Sequence, residues 1–310
     1  MKVLDAITRL SNRLYKPELD ESRAQRVYRE YDIGRRYGEY HAHCQARFKR
    51  ELESAPGTAL QQRGFEYFTP LDETEAGGWR RELQENYSSG LIKKNSKHLE
   101  GFHVTDAVRV EELLVQVLAG SLDQRIMEYF NSEYLLHWVT FSVTRQAREQ
   151  ESVSFRWHCD KGPSTHLKLI VYLNPSAEHG GNTEFIDLEG SEAVARRGYL
   201  FGWSKSRSSD IRHLSRIAGR ELTPEASPLR AGQAVLFQPA RVLHRGLSPD
   251  RGDRLVMTLC ILPSPVHWKI AWQSGTLFDL AVDEKWHQDA MGIPHKIDRQ
   301  LAQLQEKKSL

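Results

Sequence analysis

The chain has 310 residues, a formal net charge of +2, 39% hydrophobic residues and 27% charged residues. This is the composition of a soluble globular protein of one large domain or two small ones, and the near-balanced charge gives no reason to expect a nucleic-acid partner. Three widely spaced cysteines (Cys44, Cys159 and Cys260), with no CxxC pair, argue against a disulfide framework or a zinc-thiolate site and fit a reducing compartment.

Near the start, Asp5 and Arg9 stand where a signal peptide requires an unbroken apolar core. No apolar run approaches the roughly 20 residues of a membrane-spanning helix, so a cytoplasmic protein without membrane contact is expected. Residues 1–133 read as a helical region packing on a later core. Within it, residues 21–53 lack Pro and are rich in Arg, Glu, Ala and Tyr, which predicts a helix ending before Pro56-Gly57. Residues 73–99, with Gly77-Gly78 and Ser88-Ser89-Gly90, read as an irregular connection. Asp106 is a plausible N-cap for a helix marked by Val108, Leu113, Leu114, Val117 and Leu118 and ended by Gly120, and a second helix is expected at 123–130.

From residue 134 the pattern turns to β. Strands are predicted at 135–144, 152–158, 167–173, 182–185, 193–201, 233–238, 242–244 and 254–262, punctuated by Pro, Gly and Ser. About eight short strands in succession suggest a jelly roll or barrel and not a βαβ fold. Residues 204–228 interrupt the strands with Lys205, Arg207, Arg212, Arg216 and Arg220 among serines, and read as a basic loop or lid. Residues 266–310 read as a helical extension, including a helix at 296–308. The domain reading is therefore 1–133, 134–265 with its insert, and 266–310.

The chemistry concentrates in 154–187. In a strand, alternate side chains share a face, so His158 and Asp160 would present an imidazole and a carboxylate together. His244 is the candidate third ligand, and two histidines with one carboxylate suit non-haem Fe(II). Two decoys fail on geometry. His41 with His43, and His287 with Asp289, fall in predicted helices, where residues two apart diverge by roughly 200°. Arg254 follows His244 across a turn, and a hairpin would return it to the neighbourhood of that histidine. An Arg directed into an apolar barrel needs an anion, and its planar fork suits a carboxylate.

These features together resemble the 2-oxoglutarate- and iron(II)-dependent dioxygenases, closest to the prolyl 4-hydroxylase-like branch. The matching residues are His158-x-Asp160, Tyr172-Leu173-Asn174, Gly180-Gly181-x-Thr183-x-Phe185, His244-x-Gly246 and the basic Arg254. The resemblance covers residues 134–262, under half of the chain. It implies a double-stranded β-helix (jelly roll, cupin-like) core, making the chain mainly β with flanking helices (α+β). It also implies Fe(II) held by His158, Asp160 and His244, with 2-oxoglutarate and O2 as cosubstrates. Arg254 matches the basic residue that pairs with the far carboxylate of 2-oxoglutarate, Tyr172 a hydrogen-bond donor to the same group, and Thr258 a hydroxyl beside the metal. Lys168 shares the Tyr172 face and is a second cation for that carboxylate. Arg156 shares the face of the ligands and could meet a substrate anion.

The activity so implied is hydroxylation of an unactivated C–H bond of a small molecule, anionic or carrier-tethered, with succinate and CO2 as coproducts. The carboxylate at Asp160 disfavours halogenation, which needs that position open to halide. One alternative is hydroxylation of a peptide or protein side chain. The other is a non-catalytic, cupin-like metal-binding sensor. The sequence does not specify an oligomeric state.

Overall fold

The computed structural model describes residues 36–52, 57–88, 99–102, 107–147, 153–160, 165–197, 199 and 207–273. The expected helix at 296–308, His287 with Asp289, Asp106 as an N-cap and the first part of the 21–53 helix lie outside these residues. In chain order the elements are α1 (Arg36–Arg47), α2 (Ala59–Arg63), β1 (Phe65–Phe68), α3 (Glu73–Ser88), β2 (Leu99–Phe102), α4 (Ala107–Val117), α5 (Gly120–Phe130) and β3 (Glu133–Thr144). They continue with β4 (Leu167–Tyr172), α6 (Ser176–His179), β5 (Thr183–Phe185), α7 (Leu188–Arg196), α8 (Ile211–Ala218), β6 (Ala234–Phe237), β7 (His244–Gly246), β8 (Arg254–Ser264) and α9 (Trp268–Gln273). His41 and His43 lie in α1, as expected.

Six strands form one antiparallel sheet in the order β1-β6-β4-β8-β3-β2, and β5 with β7 forms a separate antiparallel pair. The alternation of β4 assigns the two faces of the large sheet. Leu167, Leu169 and Val171 join Leu255, Met257, Leu259 and Ile261 of β8 in the main core, against Ala76 and Leu83 of α3 and Leu113, Leu114 and Val117 of α4. Each buried Leu contributes about 2 kcal/mol by removal from water. The opposite face carries Ile170, Tyr172, Val235, Phe237 and Val256. It meets Phe185 of the small sheet through a stacked Phe65–Phe185 pair (centroids 4.7 Å) and an edge-on Phe185–Phe237 pair (5.1 Å).

Several expectations are corrected. The described part of the strand predicted at 152–158, residues 153–158, is not a strand: Val153–Phe155 is a single 3₁₀ turn, and His158 makes only an isolated bridge. Residues 193–196, the first part of another predicted strand, are helix, since α7 runs to Arg196, started by Asp187, whose side chain accepts from the Gly190 N–H. Residues 73–88 are helix, not connection. Asp72 and Glu75 cap its start reciprocally, each backbone N–H donating to the other's carboxylate at 2.8 Å. Gly120 does not end α4 so much as open α5 in a left-handed turn (φ 59°). Neither β1 nor β2 is foreseen from the sequence, yet they form the two edges of the large sheet. The described part of the insert is not an open loop: α8 buries Leu214 against Trp157, Ile186 and Leu243. Among the described residues no helix is long and apolar enough to cross a membrane.

Candidate metal centre

His158, Asp160 and His244 meet in space. Nε2 of His158 lies 3.5 Å from Oδ1 of Asp160, and Nε2 of His244 lies 3.7 Å from Oδ2. The imidazole centroids are 4.4 Å apart. The potential ligand atoms of the three residues lie within 4.8 Å of one another, and among the described residues this is the only such group that could hold a metal ion.

The local chain path, not strand alternation, brings them together. His158 and His244 pair backbone to backbone, and the Asp160 N–H is tied to the Pro239 carbonyl at 2.7 Å. Each imidazole is oriented in the same way. His158 Nδ1 faces the carbonyl of Arg156 at 2.7 Å, and His244 Nδ1 faces the carbonyl of Val242 at 2.9 Å. A carbonyl can only accept, so both Nδ1 atoms carry the proton and both Nε2 atoms present a lone pair. Phe237 fixes the other side of His244, edge-on at 4.9 Å.

Electrostatics favour the ligand forms. Burial lowers His158 to a pKa of about 3, aided by the neighbouring His244, and lowers His244 to about 4. Both are neutral at pH 7. Burial alone would raise the Asp160 carboxyl, but Lys168 and then the two histidines hold it well below the usual carboxylate range. The imidazoles are 7% exposed and Asp160 22%, so the centre opens on the carboxylate side.

The remaining candidates are placed as follows. Lys168, read from the sequence as a second cation for the cosubstrate, is ion-paired to Asp160 Oδ2. Arg254 does not form a hairpin with His244: β7 belongs to the small sheet and β8 to the large one. The two regions are joined through Asn182, whose carbonyl accepts from Arg254 Nη1 at 3.0 Å and from the Leu247 N–H at 2.7 Å. Tyr172, fully buried, donates its hydroxyl to Asn182 Oδ1 at 3.0 Å and lies 3.2 Å from the Thr183 hydroxyl. Arg254 and Tyr172 thus converge on one segment. Arg254 Nε is buried and has no hydrogen-bond partner. Thr258 points to the same face of β8 as Arg254, opposite Ile170. Arg156 contributes its carbonyl to His158.

Two residues with clear positioning geometry were not singled out from the sequence. Asn182 is the joint just described. Asn174 grips both neighbours of Arg254: its Nδ2 donates to the Asp253 carbonyl and its Oδ1 accepts from the Leu255 N–H, each at 2.8 Å. The Tyr172-Leu173-Asn174 run was the available signal, because an Asn directly after a strand can supply both a donor and an acceptor to an adjacent backbone.

No protein-family model matches the chain, and no curated protein matches its sequence. Among solved structures, it is similar to EctD from S. alaskensis with bound Fe at 11% identity, covering 77% of this chain and 85% of that one, with a TM-score of 0.47. HygX from Streptomyces hygroscopicus with nickel and 2-oxoglutarate bound matches at 14% identity over 66% and 85% of the two chains, TM-score 0.43. The non-heme alpha ketoglutarate dependent carbocyclase SnoK from nogalamycin biosynthesis matches at 11% identity over 67% and 84%, TM-score 0.44. At these identities and scores the likeness assigns neither family nor activity to this chain.

Proposed function

We propose that this chain is an Fe(II)- and 2-oxoglutarate-dependent oxygenase of the double-stranded β-helix class. It hydroxylates an unactivated C–H bond of a small molecule in the cytoplasm, with O2 consumed and succinate and CO2 as coproducts. The observation that carries the reading is the convergence of two neutral Nε2 atoms and one ionised carboxylate from separate parts of the chain. That donor set suits ferrous iron and leaves coordination positions for a cosubstrate.

In this reading His158, Asp160 and His244 hold the metal. Arg254 and Tyr172 hold the far carboxylate of 2-oxoglutarate, for which the buried, unpartnered Nε of Arg254 is a fitting donor. Bound iron and 2-oxoglutarate would supply the oxidising chemistry. The chain's own work is positional. The Arg156 and Val242 carbonyls fix the imidazole rings, Lys168 keeps Asp160 ionised, Asn174 and Asn182 fix the path and fork of Arg254, and the aromatic wall of Phe65, Phe185 and Phe237 keeps water from one side. A metal-binding sensor has no use for a buried guanidinium Nε without a partner, which favours the enzyme over the sensor.

The test is succinate formation by purified protein given Fe(II), 2-oxoglutarate and O2. His158→Ala and Asp160→Ala should lose iron binding and succinate formation together. Should both variants bind iron and form succinate as the parent does, the reading is wrong.

A further inference from the structure

The peptide that joins Trp157 to the candidate ligand His158 is fastened at both ends. Its N–H, on His158, donates to the His244 carbonyl at 3.0 Å. Its carbonyl, on Trp157, accepts from the Tyr199 hydroxyl at 3.1 Å. The same hydroxyl accepts from the Ser208 N–H at 2.9 Å, and the Ser208 carbonyl accepts from the Trp157 N–H at 2.9 Å. Trp157, Tyr199 and Ser208 thus close a ring of three hydrogen bonds beside His158. Arg245, the residue after His244, reaches the same place. It lies over the Trp157 ring at 4.9 Å and donates from Nη1 to the Ser209 carbonyl at 3.1 Å. Its Nε is paired with Glu184 across the small sheet at 2.6 Å.

We propose that Tyr199 is a positioning residue for the metal centre, acting through its hydroxyl on the Trp157–His158 peptide and so on the direction of the His158 imidazole. This rests on the reading of His158, Asp160 and His244 as metal ligands and deepens it.

Three observations support it. First, a peptide is a rigid plane, so holding both its N–H and its C=O fixes the direction in which the chain enters His158. The His158 ring is tied in turn by Nδ1 to the Arg156 carbonyl, and its Nε2 then lies 3.5 Å from Oδ1 of Asp160. Second, the bonds of the Trp157 and His158 N–H groups are between main-chain atoms, whereas the bond to the Trp157 carbonyl comes from a side chain. The Tyr199 ring packs on the cluster of Trp157, Val194 and Leu214, as a phenylalanine would. What the tyrosine adds is the hydroxyl, used here both as donor and as acceptor. Third, burial raises the Tyr199 phenol above its ordinary range, so at neutral pH it keeps the proton that it donates.

The experiment uses the full chain titrated with Co(II), whose visible absorption bands report the geometry of its ligands. Tyr199→Phe keeps the ring and removes the hydroxyl. It should weaken Co(II) binding roughly tenfold, the scale for losing a group that orients a metal ligand, and should shift the bands. Ser215→Ala controls for stability alone. It removes the acceptor of the Leu222 N–H within the same insert, and should lower Tm while keeping the parent's Co(II) affinity and bands. Parental affinity and bands in Tyr199→Phe overturn the proposal. An equal loss in Ser215→Ala also overturns it, because the effect is then one of stability. Failure of the parent to bind Co(II), or equal binding by Asp160→Ala, removes the metal centre itself and this assignment with it, so the two failures are read apart.

Discussion

His158 and His244 exchange both of their main-chain hydrogen bonds: His158 N to His244 O at 3.0 Å, and His244 N to His158 O at 2.9 Å. The two imidazoles are thereby fixed by backbone before any ion is considered, which is the preorganisation that metal ligands require. The first prediction follows. Added Mn(II) or Ni(II) should raise the Tm of the protein, because the ion binds the folded chain preferentially. Asp160→Ala should abolish the rise, as calorimetry with and without metal would show, and should also lower the Tm without metal, because Lys168 loses its ion-pair partner.

Arg254 is held by a neighbour and does not stand alone. Removing the amide in Asn174→Ala leaves the Leu255 N–H and the Asp253 carbonyl without their partner, a cost of about 1–3 kcal/mol. The expected kinetic result is a raised KM for 2-oxoglutarate with kcat little changed. Arg254→Gln should raise that KM by about 10–100-fold, on the scale of a charge-assisted pair. Steady-state succinate assays over a range of 2-oxoglutarate concentrations measure both.

Gly64 lies far from the metal in sequence but touches its support. Its φ of +84° is left-handed, and a Cβ there would run into Val242 and Leu188. Val242 supplies the carbonyl that orients His244. Gly64→Ala should therefore destabilise the fold by about 1–3 kcal/mol and also weaken metal affinity. Denaturant unfolding and a metal titration read the two effects separately.

The metal-free protein should lose stability in acid. Burial lowers His137, His158, His179 and His244 to pKa values of about 3 to 4, against about 6.5 in the unfolded chain. The unfolded state thus takes up these protons first. Their contribution is complete above pH 6.5 and is lost progressively as pH falls from there to about 3. Tm measured across that interval should fall steeply, and bound metal should move the fall to lower pH.

All three cysteines are buried, and burial raises the Cys159 thiol far above its usual range and Cys260 to about 12. The native protein should resist iodoacetamide at pH 8, and all three should react once it is unfolded. Mass spectrometry of the alkylated chain counts them.

The sequence carried the triad and the large sheet further than it carried their geometry. β3, β4, β6 and β8 were legible because each is a run dense in apolar and β-branched residues, in β6 and β8 buried almost throughout. His158 and Asp160 lie close together, but the alternation argument that paired them is invalidated by the 3₁₀ turn before them. Their meeting depends on the bridge to His244, a long-range pairing with no local pattern. Gly77-Gly78 obscured α3, although Asp72 and Glu75 stood at capping-box spacing and Ala76, Trp79 and Leu83 supplied its buried face. Residues 193–201 looked like strand because Val194 and Ala195 are apolar, yet with Leu188 they fall on the buried side of a helix. The four-residue β1 and β2 carry too little pattern to be seen.

The small β5–β7 sheet has a consequence for biosynthesis. Its second strand, which supplies His244, emerges from the ribosome long after His158 and Asp160. Until then a nascent chain owns two ligands and lacks the backbone partner that orients them. Metal capture by the full triad should therefore wait for His244, and until that strand emerges the nascent chain holds two of the three candidate ligands without the third.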